Sequence, residues 1–350
     1  MNILVTGAAG YIGSHATARL LREGHTVVGL DNLFRGHRAS MDICRRIAPD
    51  RLHFVVGDIC DVALLTRLMH DHHIEGVMHF AALAYVGESV TQPLRYFRNN
   101  TAATIGLLEA IDAAGVGRLV FSSSCSTYGE LRSDQIPVAE TCPQSTMSPY
   151  GRSKLQCEDI IEDFAQGQRC SRKPFAWRAL RYFNVAGCDQ AGELGEDHTP
   201  ETHLIPVVLQ AALGQRESIS IFGTDYPTPD GTCIRDYVHV GDLADAHATV
   251  MKAIAPADST ETPEARPAYN LGNGKGYSVR QIIDAAKRVT GRPIKVVEAP
   301  RRAGDPPLVF ADSSKIRREL GWSAKVTDLD EIIGSAWRWM LTNPHGYPKP

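Results

Sequence analysis

The sequence predicts an α/β fold, a doubly wound parallel sheet with a smaller mixed α/β lobe, on two observations. Short β-rich runs alternate with helical patterns through the first half of the chain, and a glycine turn joins the first run to the first helix. The expected strands are Asn2–Thr6, Thr26–Asp31, His53–Val56, Gly76–Phe80, Arg118–Ser122 and Ala176–Tyr182. Between the first two, Tyr11–Glu23 sets Ile12, Ala16 and Leu20 at helical spacing, and Gly24 follows as a C-terminal cap. Such a sheet binds ligands beyond the carboxyl ends of its strands. The pattern loosens further on, with Gly, Pro and charged residues in Gly223–Gly231 and a Pro-, Glu- and Thr-rich loop expected at Ala257–Pro267. Residues 1–185 therefore read as a Rossmann-type nucleotide-binding domain, with a later return near 233–256, and residues 186–350 as mainly a second lobe.

Composition narrows the function. The chain has 350 residues, 43% of them hydrophobic, and a formal net charge of -3. No basic block favours nucleic acid or an anionic membrane. The best uncharged apolar stretch, Leu204–Gly214, is too short to span a bilayer, and no secretory signal opens the chain. Eight cysteines without a CxxC pair suggest reduced thiols and a cytoplasmic setting. The run His70-Asp71-His72-His73 ends an amphipathic stretch and reads as a solvated helix end, so no metal site is expected.

The first strand runs into Gly7-Ala8-Ala9-Gly10-Tyr11-Ile12-Gly13 and then a helix. Glycines at 7, 10 and 13 allow a tight turn, close approach to a pyrophosphate, and packing of the helix on the sheet. The helix N-terminus then offers N–H groups and partial positive charge to the phosphates. Asp31 ends the next strand, where a carboxylate accepts bonds from a ribose diol and disfavours a 2′-phosphate; the expected cofactor is NAD. Asn32 follows it, Asp58 and Ile59 are placed near the adenine, and Phe80-Ala81 brings small residues where backbone passes the dinucleotide.

The run Ser148-Pro149-Tyr150-Gly151-Arg152-Ser153-Lys154 carries the chemistry. Ser148 is a good N-cap and Pro149 fits the first helical position. Lys154 then lies one turn from Tyr150 on the same face, and Cys157, Ile160, Ile161 and Phe164 aim that face inward. A free tyrosine, with a pKa of about 10, is a poor base at neutrality. A nearby ammonium and a nicotinamide cation would both favour its phenolate. Ser123 and Ser124 follow the fifth strand, and Ser124 can bond the reacting hydroxyl.

With these motifs, and with Gly57-Asp58-Ile59, His79-Phe80-Ala81-Ala82, Val86-Gly87-Glu88-Ser89, Asn99-Asn100, Arg181-Tyr182-Phe183-Asn184, Arg235-Asp236-Tyr237 and Pro300–Asp305, the chain resembles the extended short-chain dehydrogenase/reductases over nearly its whole length. Within them it resembles the UDP-sugar 4-epimerases. The resemblance implies interconversion of UDP-glucose and UDP-galactose through a 4-keto sugar, by a homodimer packed near Thr101–Ala114 and Pro149–Gln166. It implies that Tyr150 takes the 4-hydroxyl proton, Ser124 assists, and Lys154 holds the nicotinamide ribose. Asn99 and Phe183 would lie by NAD, and Asn184, His203, Leu204, Phe222, Arg235, Arg302 and Asp305 would hold the UDP moiety. Val309 stands where the family gates sugar size, and a small residue there suits an N-acetyl group. Ala84 replaces a lysine of well-known bacterial members and, with Cys233, is similar to plant UDP-xylose/UDP-arabinose 4-epimerases. Related dehydratases and decarboxylases carry carboxylates where this chain has Cys125 and Ser126, which argues against lyase chemistry. A non-catalytic NAD-sensing protein would have no need of Tyr150, Lys154 and Ser124 together.

Overall fold

Each apolar run named above becomes a strand, with the helical patterns between them. In the computed structural model, which describes residues 1–255, 267–302 and 306–348, the strands follow in chain order. The first six are β1 (Asn2–Thr6), β2 (Thr26–Asp31), β3 (Leu52–Val56), β4 (Gly76–His79), β5 (Arg118–Ser124) and β6 (Ala176–Tyr182). Then come β7 (Asn184–Ala186), β8 (Ile219–Phe222), β9 (Ile234–His239), β10 (Ala268–Leu271), β11 (Gly276–Ser278), β12 (Val296–Ala299) and β13 (Leu308–Val309). The chain divides into two compact units. One comprises Met1–Gly129, Pro143–Arg181 and Ala244–Tyr269, the other Glu130–Cys142, Tyr182–Leu243 and Asn270–Pro350.

The first unit is built on a seven-stranded sheet, ordered β10-β6-β5-β4-β1-β2-β3. β1 pairs in parallel with both β2 and β4, so the winding reverses between β1 and β4. That switch point is where a doubly wound sheet takes its ligand. Ile3, Leu4, Val5, Val27, Val28 and Leu30 are fully buried, as expected of strands covered on both faces. Leu4, Leu65, Leu107, Ile111, Phe121 and Ile161 share one core with the helices Val62–Asp71, Ala103–Ala114 and Pro149–Cys170.

Boundaries differ from the expectation by a residue or two. β5 runs on through Ser123 and Ser124, until the Ser124 hydroxyl accepts from Ser126 N–H and turns the chain. β4 stops at His79, one short of Phe80. The first helix spans Tyr11–Arg22, with Gly24 just beyond it at φ +91, a conformation that suits glycine. The helix Val62–Asp71 ends in the His70–His73 run.

The second unit is more irregular. Its main sheet sets β9 between β11 and β13, with β7 also paired to β9; β8 and β12 form a separate parallel pair. Asp305 and most of the expected loop Ala257–Pro267 lie outside the described residues. Among the described residues, no helix is long and apolar enough to cross a membrane.

Candidate active site

The glycine turn shows why each position lacks a side chain. Gly7 has φ +71, and a Cβ there would sit 2.6 Å from Ala81 N. A Cβ on Gly13 would sit 2.0 Å from Gly7 O, so the helix can lie over the turn only without one. Gly10 is different. A Cβ there would meet nothing nearer than Gly7 O at 3.4 Å, so the protein itself leaves room. Gly10 is the N-cap and no side chain caps this helix end. An uncapped helix N-terminus with a bare backbone position beside it fits a pyrophosphate.

The rest of the turn is fixed internally. Gly7 and Ala8 N–H bond Leu30 O, and Ala9 N–H donates to Asp31 Oδ2 at 3.0 Å. Burial raises the Asp31 carboxyl above its usual value, against the pull of its backbone donors Leu33 and Ala9. Asn32 donates to Asp58 Oδ2 at 2.7 Å, and Cys60 N–H donates to Asp58 Oδ1. The Phe80 ring packs on His247. Ile59 is buried beside the switch-point strands.

Tyr150 and Lys154 sit on the helix Pro149–Cys170, whose N-cap Ser148 accepts from Gly151 N–H. Both are buried. Tyr150 packs with Leu83 and Tyr96, edge-on to the Tyr96 ring at 6.4 Å. Lys154 Nζ donates to Ser122 O at 2.7 Å and lies 4.9 Å from the Phe121 ring. Burial pushes its ammonium down to about 8, so it remains mainly charged at neutral pH. Ser124 is buried at the end of β5, its hydroxyl bonded to Ser126. Asn99 donates to Asn100, which in turn holds Leu83 N–H, Leu83 O and Ser153 Oγ. This wide π-helical turn, Phe97–Ala102, anchors the Tyr150 helix to the segment after β4.

Two residues without a role in the sequence reading hold that helix in place. Glu158, one turn beyond Lys154, receives Arg181 Nη2 at 2.5 Å and Arg181 Nε at 3.0 Å. It also receives the Ser123 hydroxyl and Gln144 Nε2, while Arg181 Nη1 donates to Tyr128 Oη. Both side chains are at most 2% exposed. Glu158 counters burial and raises the Arg181 guanidinium further above its usual range. An acid on the apolar stripe of an inward-facing helix was the available signal.

In the second unit, Arg235 and Val309 are paired across β9 and β13. The Arg302 guanidinium stacks over the Phe222 ring at 3.8 Å. Asn184 pairs with Tyr237 in the β7–β9 ladder, and Phe183 is buried. Leu204 opens the helix Leu204–Ala212 with His203 as N-cap. His203 Nδ1 lies 2.9 Å from Glu201 Oε1 and 3.0 Å from Glu196 Oε1. Burial alone would lower this imidazole, but Glu196 and Glu201 outweigh it and push it up to about 10.

Residues 3–272 match the NAD dependent epimerase/dehydratase family. The UDP-glucose 4-epimerase of Lacticaseibacillus casei is 46% identical, over 99% of each chain. A probable UDP-arabinose 4-epimerase 3 of Oryza sativa subsp. japonica is 44% identical, over 99% of this chain and 84% of that one. The structure of UDP-glucose 4-epimerase from Bifidobacterium longum in complex with NAD+ and UDP superposes with a TM-score of 0.91 at 37% identity, covering 99% of this chain and 100% of that one. Sheet, glycine turn and full-length similarity agree, and the chain belongs to the NAD dependent epimerase/dehydratase family.

Proposed function

We propose that the protein interconverts UDP-glucose and UDP-galactose by inverting C4 of the sugar, with Ser124, Tyr150 and Lys154 as its catalytic residues. The buried Tyr150–Lys154 pair, one helical turn apart above the carboxyl end of β5, carries the reading. Tyr150 Oη removes the 4-hydroxyl proton and later returns it, while Ser124 Oγ bonds the same oxygen. Lys154, fixed on Ser122 O, keeps a positive charge beside the phenol. NAD, when bound, supplies a reversible hydride acceptor for C4. Gly7, Gly10, Gly13 and Asp31 hold the dinucleotide, with Tyr11, Ile12, Asn32, Asp58, Ile59, Phe80, Ala81, Asn99 and Phe183. Asn184, His203, Leu204, Phe222, Arg235 and Arg302 bind the UDP moiety, the arginines by paired charge-assisted bonds to phosphate. Asp305 completes that set, and Val309, a small residue at the gate for sugar size, leaves room for an N-acetyl group. Cys125 and Ser126 occupy the turn after β5, where neither offers the acid that an elimination requires.

The protein acts as a homodimer in the cytoplasm, a setting consistent with its eight free thiols. Incubation with UDP-galactose and no added NAD, followed by chromatography of the UDP-sugars, tests the activity. UDP-glucose is the expected product, and no conversion even with NAD supplied overturns the hexose reading. The rice relative favours a second reading, a UDP-pentose 4-epimerase. Conversion of UDP-xylose in place of UDP-galactose would select it.

A further inference from the structure

The segment before the helix Leu204–Ala212 gathers two carboxylates and two imidazoles that the proposed chemistry does not require as a group. Glu196, His198, Glu201 and His203 each bring one ligand-type atom to a cluster within 4.8 Å. His203 Nδ1 lies 2.9 Å from Glu201 Oε1 and 3.0 Å from Glu196 Oε1. His198 Nδ1 lies 3.2 Å from Glu196 Oε1 and 3.6 Å from Glu201 Oε2. A tetrahedral site with bonds of about 2.0–2.1 Å has edges of about 3.3 Å. The nitrogen–oxygen separations run from 2.9 to 3.6 Å around that value, the two imidazoles sharing Glu196 Oε1 and meeting different oxygens of Glu201.

The surroundings hold these groups in position. Glu201 Oε1 also accepts from Thr202 N–H at 2.7 Å and His203 N–H at 2.8 Å, which orients the carboxylate and leaves Oε2 towards His198. The neighbouring Asp197 faces elsewhere, accepting Tyr347 N–H at 2.8 Å. Tyr347 Oη receives Gly195 N–H, and Trp339 Nε1 donates to Glu193 O, so these bonds before Glu196 and the Asp197 bond after it pin the loop on both sides. A cavity of about 280 Å³, lined by Glu196, His198, Glu201 and His345 among others, opens beside the cluster and provides an entry path.

We propose that Glu196, His198, Glu201 and His203 form a binding site for a divalent first-row transition ion of the zinc class. Two imidazoles with two carboxylates suit that class over magnesium or calcium, which prefer all-oxygen sets. Ligation through His203 Nδ1 leaves its Nε2–H as a donor to the UDP moiety, so the two proposed roles of this residue are compatible.

Chelator-treated full-length protein titrated with cobalt(II) and zinc tests the site. The expected result is one equivalent of ion per chain, with a visible cobalt band of the tetrahedral type and no near-ultraviolet thiolate band. Zinc raises Tm and equimolar magnesium does not. His198→Gln, and separately Glu196→Gln, weaken the ion by about tenfold or more. Circular dichroism checks that each variant is folded, and the wild-type spectrum stands without them. Failure of the wild type to bind, a thiolate band, or equal affinity in a folded His198→Gln variant would each overturn the proposal and leave an ion-pair cluster only.

Discussion

Lys154 shows what a functional residue costs the fold that carries it. Its ammonium is buried and donates to the carbonyl Ser122 O. Burial lowers it from 10.5 to about 8, a difference worth about 3 kcal/mol. The sign follows from linkage. Because the folded value lies below the unfolded one, the penalty is complete below pH 8, shrinks as pH rises, and is gone above 10.5. Lys154→Met keeps the volume, removes the charge and forfeits one hydrogen bond of about 1 kcal/mol. The cofactor-free variant should therefore be about 2 kcal/mol more stable at pH 7. That gain should fade between pH 8 and 10.5, while turnover falls by about a hundredfold or more. Denaturant titrations at three pH values check it. A variant less stable than the parent at pH 7 would show that the buried ammonium is not a burden.

At the scale of elements, the Arg181–Glu158 pair sets the helix Pro149–Cys170 against β5 and β6. Removing one partner of a buried pair strands the other charge, so Glu158→Gln should cost about 3–5 kcal/mol in urea unfolding. The double variant Glu158→Leu/Arg181→Met should recover most of that loss. If the single variant were nearly neutral, the pair would be solvated rather than buried. This pair also marks where the sequence stops being legible. β1 and β2 were readable to the residue because buried parallel strands are near-continuous apolar runs bounded by turn residues; β6 was also readable, although Arg178 and Arg181 interrupt its apolar run. Ser148 and Pro149 announced the helix start through local capping chemistry. Glu158 and Arg181 are 23 positions apart, and no local pattern couples an acid on one element to a base on another. The Glu196–His203 cluster was hidden for a related reason. Its residues occupy a loop, where spacing does not dictate direction, and only the fixed backbone turns four side chains to one point.

At the scale of the whole molecule, each unit draws on three separate stretches of chain, so neither is a continuous domain. β9 is the clearest case: it lies between stretches of the first unit in sequence, yet its paired neighbours are β7, β11 and β13. Hydrophobic periodicity identifies strands, but not which sheet takes them. Assembly poses the same problem one level up. The helix Ala103–Ala114 buries Leu107, Leu108 and Ile111 in the core, yet its outer side carries Ile105 at 44% exposure. An isolated exposed isoleucine is ordinary; one on a helix proposed to pack against a second copy has a use. Stable association requires about 800 Å² per partner, more than one helix face supplies, and the family resemblance adds Pro149–Gln166 to the proposed interface. Sedimentation at micromolar concentration should give a particle of two chains. Ile105→Arg buries a charge in that interface without touching the core, so it should yield a folded monomer, with Tm lowered and made independent of concentration. An Ile105→Arg protein that still sediments as two chains would place the contact on another face.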